Sequence, residues 1–154
     1  MKHTFAKLSA RLIALAALVL FSIATIAVTP AHAQEITVYK TPSCGCCTRW
    51  VDHLAENGFE VTVQSLDDLS PVKTKLGVPQ ELQSCHTAEI DGYVIEGHVP
   101  AADIERLLEE RPDATGIAVP GMPVGSPGME YGARKDPYDV ILFGGDEQKV
   151  YASH

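Results

Sequence analysis

Hydrophobic and polar residues change their period several times along the chain. Ile36-Thr37-Val38-Tyr39 is a β-branched and aromatic run that predicts a strand. A helix to about Asn57 follows, with Trp50, Val51 and Leu54 on one face, Asp52, His53 and Glu56 on the other, and Gly58 as its stop. Phe59-Glu60-Val61-Thr62-Val63 alternates again and predicts a second strand. Ser70-Pro71 has the pattern of an N-cap and first helical position, opening a short helix that Gly77 ends; Pro79 can start one further turn. Residues 87–90 and 93–95 flank Asp91-Gly92, the strongest short-range hairpin signal. Pro100 opens another helix, with Ile104, Leu107 and Leu108 inward and Glu105, Glu109 and Glu110 outward, ending before Pro112. Residues 116–132 hold five glycines and three prolines, which predicts neither helix nor central strand. Residues 138–143 and 150–152 predict a C-terminal β-hairpin across Gly144-Gly145.

This order, β-α-β-α-β-β-α with a cysteine loop between the first strand and first helix, predicts an α/β fold of the thioredoxin-like or glutaredoxin-like kind with a mixed sheet. The right-handed crossover rule makes the first two strands parallel. A third strand antiparallel to the first would begin, at Cys85-His86, at the same end of the sheet as the cysteine loop. The fourth strand would end there too, at Glu96-Gly97-His98. Segments separated by dozens of residues are thus expected on one rim.

The first 33 residues are unlike the rest. They carry Lys2, Lys7 and Arg11, no acid, and a seventeen-residue uncharged run over 12–28, followed by Ala31-His32-Ala33. This is the pattern of a secretory signal cleaved after Ala33, with an uncleaved anchor as the alternative. The expected mature domain, residues 34–154, is a single periplasmic domain. It keeps nine basic residues against all twenty acidic ones, a formal charge of −11 compared with −8 for the whole chain. So acidic a domain repels phosphate backbones and anionic lipid, which speaks against nucleic-acid binding and against membrane binding after signal cleavage.

All four cysteines lie in this part, three of them in Cys44-Gly45-Cys46-Cys47. Cys44 and Cys47 have the C-x-x-C spacing that thiol oxidoreductases place at a helix N-terminus, where the helix dipole and free N–H groups stabilise thiolate. Cys46 is the extra thiol, and it would invite mis-pairing in a dithiol enzyme. Three readings stand side by side: structural disulfides such as Cys44–Cys47 with Cys46–Cys85, redox catalysis, and soft-metal binding. The segment Ser84-Cys85-His86-Thr87 favours the metal. It puts a thiol and an imidazole where redox thioredoxin folds carry a cis-proline.

His98 gains weight as a ligand, or as a group orienting one, from its expected arrival at that rim. His53, on the polar helix face, reads as solvated, and His154 as a mobile terminus. Met122 and Met129 lie in the Gly/Pro-rich segment; thioether sulfur suits copper and is little used by zinc. The alternative is that they fill gaps in a surface loop. No phosphate loop, nucleophile elbow, paired catalytic carboxylates or H-E-x-x-H stands out, so hydrolase and kinase readings have nothing to rest on.

Four motifs, Cys44-Gly45-Cys46-Cys47 before Trp50-Val51, Ser84-Cys85-His86-Thr87, Val94-Ile95-Glu96-Gly97-His98-Val99-Pro100, and the run from Val119-Pro120-Gly121-Met122 to Pro127-Gly128-Met129, occur in order. Together they resemble the CopG-like family of small exported proteins associated with bacterial copper resistance. The resemblance implies a thioredoxin-like fold and copper binding by the cysteine-rich loop. The expectation is therefore a metal-binding protein holding Cu(I) with Cys44, Cys46, Cys47 and Cys85, completed by His86, His98 and a methionine, Met122 or Met129. Four sulfurs exceed the needs of one Cu(I), so bridging thiolates and more than one ion are expected, with zinc as the less favoured metal. Because thiolate and neutral imidazole bind the metal, affinity should weaken as pH falls. A copper exporter or another periplasmic copper protein is the expected partner. The rival is a periplasmic thiol–disulfide or copper-redox oxidoreductase.

Overall fold

The computed structural model describes residues 33–145 and 148–154; the signal-peptide expectation for residues 1–33 lies, except for Ala33, outside the described residues. The chain forms a mixed α/β domain. Its elements are β1 (Glu35–Lys40), α1 (Gly45–Glu56), β2 (Glu60–Ser65), α2 (Ser70–Lys75), a 3-10 turn (Gln80–Leu82), β3 (His86–Ile90), β4 (Tyr93–Glu96), α3 (Ala101–Glu110), β5 (Gly116–Ala118), β6 (Asp139–Phe143) and β7 (Lys149–Ser153). They build one seven-stranded sheet in the order β2-β1-β3-β4-β5-β6-β7. Strand β1 runs parallel to β2, and β4 to β5; the other neighbours are antiparallel.

Alternation along the strands divides the buried residues between two faces. Ile36, Val38, Ala88, Ile90, Ile95 and Ile117 meet Trp50 and Leu54 of α1 and Ile104 and Leu107 of α3 in the main core. On the opposite face Val94, Ala118 and Phe143 pack with Val78 and Leu82 from the segment after α2. The Asp91-Gly92 hairpin and the terminal β6–β7 hairpin are present as the pattern predicted. Helix α2 begins at Ser70, with Leu69 at the cap position. The capping oxygen comes from Asp68, whose Oδ1 accepts from the Ser70 N–H at 2.9 Å, because the carboxylate reaches this free donor.

One expectation is overturned. Residues 116–118, inside the Gly/Pro-rich segment, form β5, a strand within the sheet between β4 and β6. Ile117 and Ala118 are fully buried. Gly116 is there because the strand backbones come too close for a side chain: a Cβ would lie 1.8 Å from the carbonyl oxygen of Val94. Backbone in a paired strand cannot yield cheaply. Gly116→Ala should therefore cost about 1–3 kcal/mol or more of stability, as overpacking does, read as a lower urea midpoint at unchanged slope.

Candidate metal centre

Helix α1 presents the first sulfurs. Cys44 occupies its N-cap, where Sγ accepts from the Cys47 N–H at 3.3 Å. Cys44 and Cys47 are joined as a disulfide, one member of the first of the three readings of the cysteine spacing. Its other member is not formed: Cys46 and Cys85 are free, with their Sγ atoms 4.0 Å apart. Cys46 Sγ also lies 3.5 Å from Cys44 Sγ. All four sulfurs fall within 4.8 Å of one another. Ligation by Cys44 and Cys47 as thiolates requires that their disulfide first be reduced.

The antiparallel pairing of β1 with β3, in which Lys40 stands opposite His86, brings the second set to the same rim. Cys85 Sγ lies 3.4 Å from His86 Nδ1 and 3.1 Å from His98 Nε2. Cys85, His86 and His98 form a second group of donors within 4.8 Å, with Cys85 common to both groups. The tautomer of His98 follows from its other nitrogen. Nδ1 is 2.8 Å from the Pro127 carbonyl, which can only accept, so the neutral ring carries its hydrogen on Nδ1 and turns the Nε2 lone pair toward Cys85.

Burial sets the protonation of the group. It pushes the Cys85 thiol up to about 12, with the neighbouring Cys46 adding to the shift. Burial also holds His98 below the usual imidazole range. His86 is held well below that range, first by its complete burial and then by His98 and Lys73. Both rings are neutral and able to ligate. His86 lies against the Trp50 ring with centroids 4.3 Å apart, and its Nε2 is buried with no hydrogen-bond partner. An unpaired buried nitrogen costs about 1–3 kcal/mol. Thiol sulfur beside neutral imidazole, in a site that tolerates such a cost, fits a soft metal ion.

The segment after β5 runs back to this rim, as its length allows. The Ser84 hydroxyl donates to the Gly121 carbonyl, Pro127 orients His98, and Arg49 Nε donates to the Gly128 carbonyl at 2.9 Å. Met122, adjacent to Gly121, is 52% exposed, whereas Met129, adjacent to Gly128, is half-buried. Each methionine thus lies one residue from backbone that touches the neighbourhood of the centre.

Two histidines depart from expectation. His53 is half-buried, and its Nε2 accepts the Ala101 N–H at 3.2 Å, so it caps α3 instead of facing water; α1 and α3 pack on one face of the sheet, which brings them together. The terminal His154 is held by Asp103 at 2.7 Å, by backbone pairing with Tyr138 and by stacking on the Tyr138 ring. Sequence reasoning also missed the buried Lys73–Glu96 pair, 2.5 Å apart, behind the centre. A lone charge at the end of the apolar run Val94-Ile95 was the only local signal.

Comparison with known proteins follows the same residues. Residues 82–129 match the model of a family described as a protein of unknown function, DUF411. That span includes Cys85, His86, His98, Met122 and Met129. No curated protein matches the chain. Two solved structures, named copper resistance protein CopG, forms 2 and 1, are similar over 79% of this chain and 98% of theirs. Their identities are 51% and 52%, and their TM-scores 0.76 and 0.75. At this identity and coverage, the chain belongs to the CopG copper-resistance family.

Proposed function

We propose that this chain is an exported copper-binding protein that takes up Cu(I) at the cysteine and histidine rim and so serves copper resistance. The observation that carries the reading is the double membership of Cys85, which joins a four-sulfur group to two imidazoles within ligating reach. Solved relatives of half-identical sequence named as copper resistance proteins support the metal. Thiolate and thioether sulfur favour Cu(I), and Met122 and Met129 each adjoin a glycine whose carbonyl is hydrogen-bonded near the rim. Cys46 and Cys47, being adjacent, cannot easily serve one ion together, so thiolates bridge more than one copper. The order β-α-β-α-β-β-α supports a thioredoxin-like core. Residues 1–33 act as the signal, and the mature protein works in the periplasm with a copper exporter or another copper protein as its partner.

Metal analysis of anaerobically reduced protein loaded with Cu(I) tests this. At least one copper per chain is expected, falling when Cys46 and Cys47 are both replaced by serine; a value below one, or no loss in that variant, sinks the reading. Trp50 supplies a second readout, because it is the chain's one tryptophan and lies against His86. Its fluorescence should be quenched as copper is added and recover with a chelator.

The disulfide between Cys44 and Cys47 at the start of α1 favours a second reading, a thiol–disulfide or copper-redox oxidoreductase. Metal-free disulfide reductase activity that survives loss of Cys85 and His86 would select it.

A further inference from the structure

Behind the centre, on the other face of the sheet, lies a network of buried polar side chains. Thr87 follows His86 along β3 and so points away from it. Glu96 and Thr87 are fully buried, and Lys73 is 5% exposed. Glu96 Oε1 accepts from Lys73 Nζ at 2.5 Å and from the Ser84 N–H at 2.6 Å. Its Oε2 accepts from the Thr87 hydroxyl at 2.6 Å, and Thr87 in turn accepts from Lys73 at 2.8 Å.

Burying two charges is costly, and apolar residues of similar volume often serve stability as well or better. The reason for this pair lies in where its donors come from. Ser84 immediately precedes Cys85, Thr87 immediately follows His86, and Glu96 stands two residues before His98. One carboxylate therefore ties the turn before β3 to the end of β4. The joint is tight: a Cβ on Gly97 would lie 2.7 Å from the Ser84 Cβ. Cys85 and His98, on the two segments joined here, lie 3.1 Å apart at Sγ and Nε2.

We propose that Glu96, with Lys73 as its counter-ion, is a positioning residue of the metal centre: by holding the Ser84 N–H it keeps Cys85 beside His98 and an imidazole among the sulfur ligands. The proposal rests on the copper reading of the site and adds the residue that shapes it. It is separable from stability, because the hydrogen bond that matters is the one to Ser84.

Two double variants test it. Lys73→Met with Glu96→Leu removes both charges and the acceptor; Lys73→Met with Glu96→Gln removes the charges but keeps a carbonyl for the Ser84 N–H. In the metal-free proteins, the Ser84 amide should exchange slowly in wild type and the Gln variant, and faster in the Leu variant. With Cu(I), the Leu variant should bind about 10–100-fold more weakly, the usual loss when a ligand's supporting hydrogen bond goes. It should also lose the imidazole contribution to X-ray absorption at the copper edge, while the Gln variant stays close to wild type. Wild-type affinity and imidazole signal in the Leu variant overturn the proposal, as does a Gln variant no better than the Leu one. Should the Leu variant not fold, Ser84→Pro removes the donor and leaves both charges. It should show the same loss against a Ser84→Ala control, and wild-type binding by Ser84→Pro overturns the proposal. Wild-type protein that takes up no Cu(I) defeats the copper reading instead, and the metal-free exchange still decides the tie between Glu96 and Ser84.

Discussion

Cys85→Ser should lower Cu(I) affinity by more than the roughly 10–100-fold that loss of a ligand's hydrogen-bond partner costs, and should reduce the copper held per chain. Cys85 is the only member common to the two donor groups. Without it the three sulfurs at the start of α1 and the imidazoles of His86 and His98 are separate sets. Serine offers a neutral hydroxyl, which is a poor ligand for a soft ion. Cys85 is half-buried at the sheet's rim and serine fills nearly the same space, so the unfolding midpoint should stay close to wild type. Anaerobic competition with a chelator of known affinity measures the effect. Unchanged affinity, with imidazole still seen at the copper edge, would show that the sulfur and nitrogen ligands work independently of Cys85.

Much of that geometry follows from strand direction alone. Once β3 runs antiparallel to β1 and β4 returns, Cys85, His86 and His98 must arrive beside the loop carrying Cys44, Cys46 and Cys47, and they do. What the sequence left unread depends on long-range meetings or on chemistry that spacing does not encode. C-x-x-C is compatible with a disulfide, a dithiol or a metal site, so the Cys44–Cys47 bond was one of several open readings. Lys73 lies in a short helix and Glu96 is 23 residues away; no local period announces that the two meet in the interior. The pattern of residues 116–118 misled for a related reason. Gly116 is a chain-breaking signal locally, yet it is required by the closeness of Val94 on the neighbouring strand. The pattern makes His53 solvated and His154 a mobile terminus because their partners, the Ala101 N–H and Asp103, come from a helix remote in sequence.

Lys73→Met should destabilise the protein by about 3–5 kcal/mol, the cost of removing one partner of a buried ion pair. The domain has little to spare, since proteins of this size are stable by about 5–15 kcal/mol in all. The lost attraction is the smaller part of the effect. Methionine matches the lysine stem in length and fills the same space, but Glu96 remains fully buried and keeps only the Ser84 N–H and the Thr87 hydroxyl. The damage is therefore an uncompensated charge in a low-dielectric interior. It follows that a second substitution should repair it: Glu96→Leu in the Lys73→Met background removes the stranded carboxylate and should recover most of the lost stability. Urea unfolding of the wild type, both single variants and the double variant closes the cycle. Strong coupling is expected, with the double variant more stable than Lys73→Met alone; additive losses would mean that each residue matters only through its own packing. The same double variant is the one expected to bind copper poorly, so recovery of stability without recovery of binding would separate what the charges do for the fold from what Glu96 does for the centre.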